Sequence, residues 1–226
     1  YAFAFPLFAR AARSDSEHAL PISAGGEGQN WVEVSNVSSA RVTARMRFYN
    51  QAGALVSDAS QSIASHAQAH VNANQFIPAG SVGHVAISST AVGALASASM
   101  FYFYAPAGAI SAMYGSQPKQ TIDSSQLGSY NLFLGMYNFL KLFNPSDAAV
   151  NGTIAVHSGA SVREITFSLP ARAAADFGLH ETANYGTSPD SYGLVAVDGA
   201  PVVAEVLRLR PSPTSGFDFA FPTPVD

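Results

Sequence analysis

The chain has no cysteine among its 226 residues, which excludes disulfides, thiolate metal sites and cysteine nucleophiles at once. It is also poor in charge. Only 12% of residues are charged, and the 11 Lys and Arg are scattered, so no basic stripe is available to neutralise phosphates and nucleic acid is not expected as a partner. Long apolar runs are missing as well. The richest stretch, Leu132–Phe143, is interrupted by Gly135, Asn138 and Lys141, and it falls short of the roughly 18 residues that mark a membrane-spanning helix. The first residue is Tyr1, with neither Met nor a basic leader before the apolar residues. That start reads as a processed chain or as an excerpt of a longer one.

What is present is apolar and neutral. Hydrophobic residues make up 48% of the chain, enough to fill a core and too many for a disordered segment. The same neutrality leaves apolar faces that are expected to be buried against other subunits or other repeats.

The chain matches itself. Glu33–Val42 lines up with Lys141–Val150, which places Asn36 on Asn144 at an offset of 108 residues (144 − 36). Ser62–Val71 then matches Ser168–Phe177 after a two-residue gap, setting His66 on Arg172 and His70 on Asp176. Gly83–Ile87 matches Gly193–Val197, and Ala96 is set on Ala204. At the ends, Tyr1–Pro6 resembles Phe217–Pro222 at twice the offset (217 − 1 = 216), and Ile110–Pro118 holds a degraded copy at the intermediate phase.

Within each copy the pattern is that of strands. Arg45–Tyr49, Thr153–His157, Arg163–Phe167 and Glu205–Leu209 are short runs, several of them alternating polar with apolar residues. Asn50–Gly53, Pro78–Gly80, Ser158–Gly159, Ser188–Asp190 and Asp198–Gly199 supply turns at the spacing of a sandwich. Leu132, Phe133, Met136, Tyr137, Leu140 and Phe143 fit a helical stripe, but Phe139–Phe143 aligns with Trp31–Ser35, so a strand after an apolar loop is expected. The fold expected is all-β: two tandem Ig-like or jelly-roll-like antiparallel β-sandwich domains, 1–108 and 109–226, the last strand 217–222 being available to complete a neighbouring repeat.

The second copy carries Leu169–Arg172, Val195–Glu205 and Leu207–Arg208, and with these the chain resembles the small bacterial β-sandwich of the sensory-rhodopsin-transducer type and related tandem repeats of secreted bacterial proteins. The first copy departs from it, with His66 at the position of Arg172 and no proline at that of Pro201. The resemblance implies a sandwich fold and a tendency to form oligomers, and no substrate.

Candidate chemistry is sparse. His66 and His70 stand at i and i+4, two weak candidates for metal ligands that lack a third unless His18 or His84 folds against them; the plain reading is a solvated strand face. His180–Asn184 begins like a zinc-protease helix, but Asn184 occupies the place of the second histidine. Asp15, Glu17 and Asp190 offer oxygen ligands without the spacing of a calcium loop. Asn36–Ser38 and Asn151–Thr153 are formal glycosylation sequons. No nucleophile elbow or phosphate loop occurs, so no enzyme and no cofactor is expected.

Aromatics are the strongest feature. Met100–Tyr104 puts large residues on both faces of one strand, as in a strand covered on both sides. The function expected is a non-enzymatic extracellular, cell-surface or periplasmic structural or adhesive module, working through protein–protein assembly with further copies or with neighbouring repeats. The alternative is a carbohydrate-binding module in which Trp31, Tyr102, Tyr104, Tyr130 and Tyr137 stack on sugar rings.

Overall fold

A computed structural model describes residues 17–25, 28–104, 108–119, 122–212 and 216–226. The described chain is almost wholly strand: β1 (His18–Ser23), β2 (Gly28–Asn36), β3 (Val42–Asn50), β4 (Leu55–Ile63), β5 (Gln68–Asn72), β6 (Val82–Ser88), β7 (Leu95–Tyr104), β8 (Ile110–Ser116), β9 (Ser125–Asn131), β10 (Tyr137–Phe143), β11 (Val150–Ser158), β12 (Ser161–Leu169), β13 (Ala174–Gly178), β14 (Tyr192–Asp198), β15 (Val203–Ser212) and β16 (Gly216–Pro224). Leu132–Phe143 is thus a 3-10 turn at Phe133–Gly135 followed by β10, not a helix. The alternation of burial along β2, with Asn30, Val32, Val34 and Asn36 inside, is the two-residue period that one covered face imposes.

Four antiparallel sheets of four strands result. Sheet I runs β1-β6-β3-β4 and sheet II runs β5-β2-β7-β8; sheet III runs β9-β14-β11-β12 and sheet IV runs β13-β10-β15-β16. The order in sheets III and IV is that of sheets I and II moved on by eight strands. Sheets I and II enclose one cluster, including Leu20, Ile22, Val34, Met46, Phe48, Val85 and Ile87. Sheets III and IV enclose another, including Tyr130, Leu140, Leu142, Ile154, Val195, Val197 and Val206. Each large apolar side chain so buried contributes about 1.5–3 kcal/mol.

One detail of the alignment changes. Ser35 opposes Ala96 and Phe143 opposes Val203, so Ala96 is equivalent to Val203 and not to Ala204. β8 pairs with β7 in sheet II and β9 pairs with β14 in sheet III, so Ile110–Ser116 completes a sheet of the first eight strands. Phe217–Pro222 lies in β16, paired with β15 in its own sheet, in the place β8 holds in sheet II. Tyr1–Pro6 lies outside the described residues.

Equivalent positions repeat their local chemistry. The buried Asn36 amide donates to the carbonyls of Ala40 (2.7 Å), Ile63 (3.2 Å) and Ala64 (2.9 Å), while its Oδ1 accepts from the Ser38 amide and hydroxyl. Asn144 does the same with Ala148 (2.7 Å), Leu169 (3.3 Å), Pro170 (2.9 Å) and Ser146. Each asparagine ties the end of one strand to the start of the next and the end of the one after that, giving partners to carbonyls at the strand ends. Gly83 and Gly193 stand where a Cβ would collide with the carbonyl oxygens of Tyr49 and His157, which only glycine avoids.

The two eight-strand blocks share an interface. The face of sheet IV turned away from its own core carries Phe139, Phe143, Val203, Leu207 and Leu209. Phe101 and Tyr114 of sheet II bury against Leu207, Leu209 and Ala220, and Ala19 of sheet I buries against Phe143, Ala174 and Val203. Sheet IV is therefore covered on both faces, and it closes the side of the first sandwich where the edge strands β1 and β8 lie.

Candidate functional site

The outer face of sheet II gathers three of the five aromatics singled out from sequence. Trp31 opposes Met100 and Gln29 opposes Tyr102, so Trp31, Tyr102 and Tyr104 project to one side, away from the core that Val32 and Val34 enter. All three are half-buried. The Trp31 indole donates to Gln29 Oε1 at 3.1 Å, and the Gln68 amide donates to Glu33 Oε2 at 3.3 Å. Burial, and then the nearby Glu33 and Tyr104, push the Tyr102 hydroxyl above its ordinary range, which places those groups within electrostatic reach of one another. His70 opposes Glu33, and Asn72 opposes Trp31. The face therefore offers flat apolar rings bordered by amide, carboxylate and imidazole groups.

The other two aromatics lie elsewhere. Tyr130 is a core residue: it is buried in the second cluster and its hydroxyl donates to the His157 carbonyl at 3.2 Å, so it cannot meet a ligand. Tyr137, on sheet IV, is exposed and stacks on His180 at 4.2 Å. His66 and His70 do not share an element, since His66 sits in the β4–β5 turn in the left-handed conformation (φ 55°) while His70 is on β5. Arg172, the counterpart of His66, has the same conformation (φ 59°). His18 bonds Ser97 Oγ through Nδ1 at 2.8 Å and His84 is buried at the interface, so neither joins them. No cluster of three or more His, Asp or Glu residues able to share a metal ion occurs among the described residues. Asp190 Oδ1 accepts from the Leu134 amide at 2.9 Å and fixes a loop. Asn36, buried in its knot, is closed to glycosylation, whereas Asn151 is exposed.

Sequence reasoning missed the polar groups of the interface. His84 lies between Tyr49 (4.8 Å) and Phe143 (5.4 Å), near-parallel to both rings. Both its ring nitrogens are buried without a hydrogen bond, and burial, with the nearby Arg172 charge, lowers its pKa to about 3. Arg172 covers the Tyr49 ring at 5.5 Å, bonds Asp147 through Nε at 2.8 Å, and pairs with Glu17, which also pairs with Arg47. Lys141 pairs with Asp176 at 2.9 Å, and the opposing Glu205 accepts from Ser116 Oγ at 3.1 Å. Burial pushes the Glu205 carboxyl up, against Lys141 and Ser116. The visible signal for His84 is its alignment with Leu194; extending the alignment back would have paired the buried Asn30 with Asn138, whose Oδ1 atoms accept from the Ser23 and Asn131 amides.

No family model and no curated protein matches the chain. Among solved structures it is similar to a putative beta-galactosidase from Bacteroides fragilis (TM-score 0.20, 9% identity, 95% of this chain and 34% of that one) and to a beta-glucuronidase from glycoside hydrolase family 2 (TM-score 0.20, 8% identity, 92% and 23%). The chain spans about a third and a quarter of their lengths, and likenesses of this size bear on no activity.

Proposed function

We propose that this chain is a non-enzymatic structural module of the cell exterior or periplasm, that its two blocks are tandem sandwich domains, and that it acts by protein–protein assembly through sheet faces. One observation carries the reading: the outer face of sheet IV is already an interface inside the chain, and the equivalent face of sheet II carries Trp31, Tyr102 and Tyr104, half-buried and outside the core and interface clusters of the described residues. The resemblance to transducer-type sandwiches adds the same tendency to oligomerise. Light scattering over a hundredfold range of concentration tests it: the mean mass rises with concentration if faces associate and stays at that of one chain if they do not.

A second reading, carbohydrate binding, draws on the same face, because Trp31 and Tyr102 beside Gln29, Glu33 and Asn72 suit the apolar face and hydroxyls of a sugar. A glycan array with Trp31→Ala as control tests it; sugar binding that disappears in the variant, by a chain that stays monomeric, favours this reading.

A further inference from the structure

The interface between the blocks has two sides, and each side has an equivalent elsewhere in the chain that joins no interface cluster among the described residues. The donor side is the outer face of sheet IV, and register makes Phe139, Lys141, Phe143, Leu207 and Leu209 equivalent to Trp31, Glu33, Ser35, Met100 and Tyr102 on sheet II. The acceptor side is the first block's β1, β6, β7 and β8, where Ala19, His84, Phe101 and Tyr114 meet the donor; their equivalents in the second block are Leu127, Leu194, Arg208 and Phe221. Ala19, His84 and Tyr114 are 6%, 0% and 3% exposed. Leu127, Leu194 and Phe221 are 52%, 46% and 36% exposed. Three of the large exposed apolar residues of the second block thus stand at the positions that the first block buries in the contact. Isolated exposed leucines are ordinary, but a set that maps onto an interface already formed elsewhere in the chain is not.

We propose that the outer face of sheet II docks on the β9, β14 and β16 side of a second copy of this chain, repeating head to tail the contact that joins the two blocks; this rests on the assembly reading above. The two equivalent surfaces differ from the internal pair in a complementary way. Arg208 and Arg210 stand in the acceptor where Phe101 and Phe103 stand in the first block, and the donor presents Trp31, Tyr102 and Glu33. Guanidinium groups over indole and phenol rings, with a carboxylate beside them, replace the ring-on-ring packing of the internal contact. Arg208 is only partly engaged: its Nη2 reaches the Ser129 carbonyl (2.8 Å) and hydroxyl (2.7 Å), it lies 5.8 Å from the Phe221 ring, and its Nε is buried without a hydrogen bond. Arg210 faces Asp218 at 3.6 Å. Because donor and acceptor are different surfaces, the contact is heterologous, and copies add in one direction until a ring closes or a filament grows.

Complementation tests this. Trp31→Glu spoils the donor only and Leu194→Lys the acceptor only; both side chains point away from the two cores, and Tyr102→Glu with Leu127→Lys form a second pair should either of the first fail to give the wild-type circular dichroism and melting. Wild-type chain is expected to show concentration-dependent species larger than a dimer. Each variant alone is expected to be monomeric in sedimentation velocity, and an equimolar mixture of the two to form a 1:1 heterodimer that grows no further. If Trp31→Glu abolishes association while Leu194→Lys leaves it intact, the contact is face to face and the head-to-tail inference is wrong though assembly stands. If the wild type stays monomeric at every concentration, the assembly reading itself fails, and sugar binding by that monomer on the array identifies the face as a glycan platform.

Discussion

Sheets II and IV are the same object with different outer faces. Both have a four-strand order with the central strand pair β2–β7 or β10–β15, and both turn one face into a sandwich core. On sheet IV the other face carries Phe139, Phe143, Val203 and Leu207 around the Lys141–Asp176 pair and is buried; on sheet II it carries Trp31, Ser35, Ala96 and Met100 around Glu33 and His70 and joins no cluster with the other block among the described residues. The scaffold is held by groups common to both blocks, above all Asn36 and Asn144. The face residues decide whether the outer side of a sheet becomes an internal layer of the chain.

Acid is expected to act hardest on the buried side of this comparison. His84 has a folded pKa of about 3 against 6.5 unfolded, so the unfolded chain binds the extra proton between those values; the contribution is intact above about pH 6.5 and lost progressively down to about pH 3. The facing groups are Tyr49, Phe143 and Arg172, with Glu17 bridging Arg172 and Arg47. At 1.36 kcal/mol per unit the loss is of order 4 kcal/mol. Denaturant titrations of wild type and His84→Leu from pH 7 to pH 3 check it: the variant should lose most of the slope, and a wild-type curve flat from pH 6.5 to pH 4 would remove the neutral buried histidine from the account.

Cutting the ring stack should come next. Phe143→Ala leaves a cavity between His84 and the second block and is expected to cost about 3–5 kcal/mol, whereas Ser35→Ala at the equivalent open position should stay within about 0.5 kcal/mol, both read from urea unfolding. Equal losses at the two sites would mean that the faces are not as different as their burial says. The shared element gives a prediction of likeness: Asn36→Ala and Asn144→Ala should each destabilise by about 3 kcal/mol, because each strands two or three carbonyls. The smallest effect is expected at Glu33, where Glu33→Gln should leave stability unchanged within about 0.5 kcal/mol while weakening self-association at low salt.

The strands, the turns and the Asn36–Asn144 match were legible in the sequence because alternation and turn residues are local signals, and because an asparagine that caps the same three carbonyls twice keeps its place twice. The outer faces were not. Period-two alternation tells which residues share a side of a strand, and it does not tell what lies beyond that side. Tyr130 looked like Tyr102 for this reason: both are tyrosines on strands, yet Tyr130 points into the second core and Tyr102 points away from the first. His66 and His70 looked like a pair because they stand at i and i+4, but His66 is itself the left-handed residue of the turn that leads into β5, where His70 lies. Phe139 and Phe143 sit at an ordinary polar phase, and only the arrival of the first block explains why aromatic residues stand there.

The most direct measurement is sedimentation velocity of an equimolar mixture of Trp31→Glu and Leu194→Lys chains, each shown separately to be folded and monomeric. A single new boundary at the mass of two chains is the result predicted by a donor face on sheet II and an acceptor on β9, β14 and β16. A mixture that sediments as the sum of its two monomers, beside a wild type that associates, contradicts it.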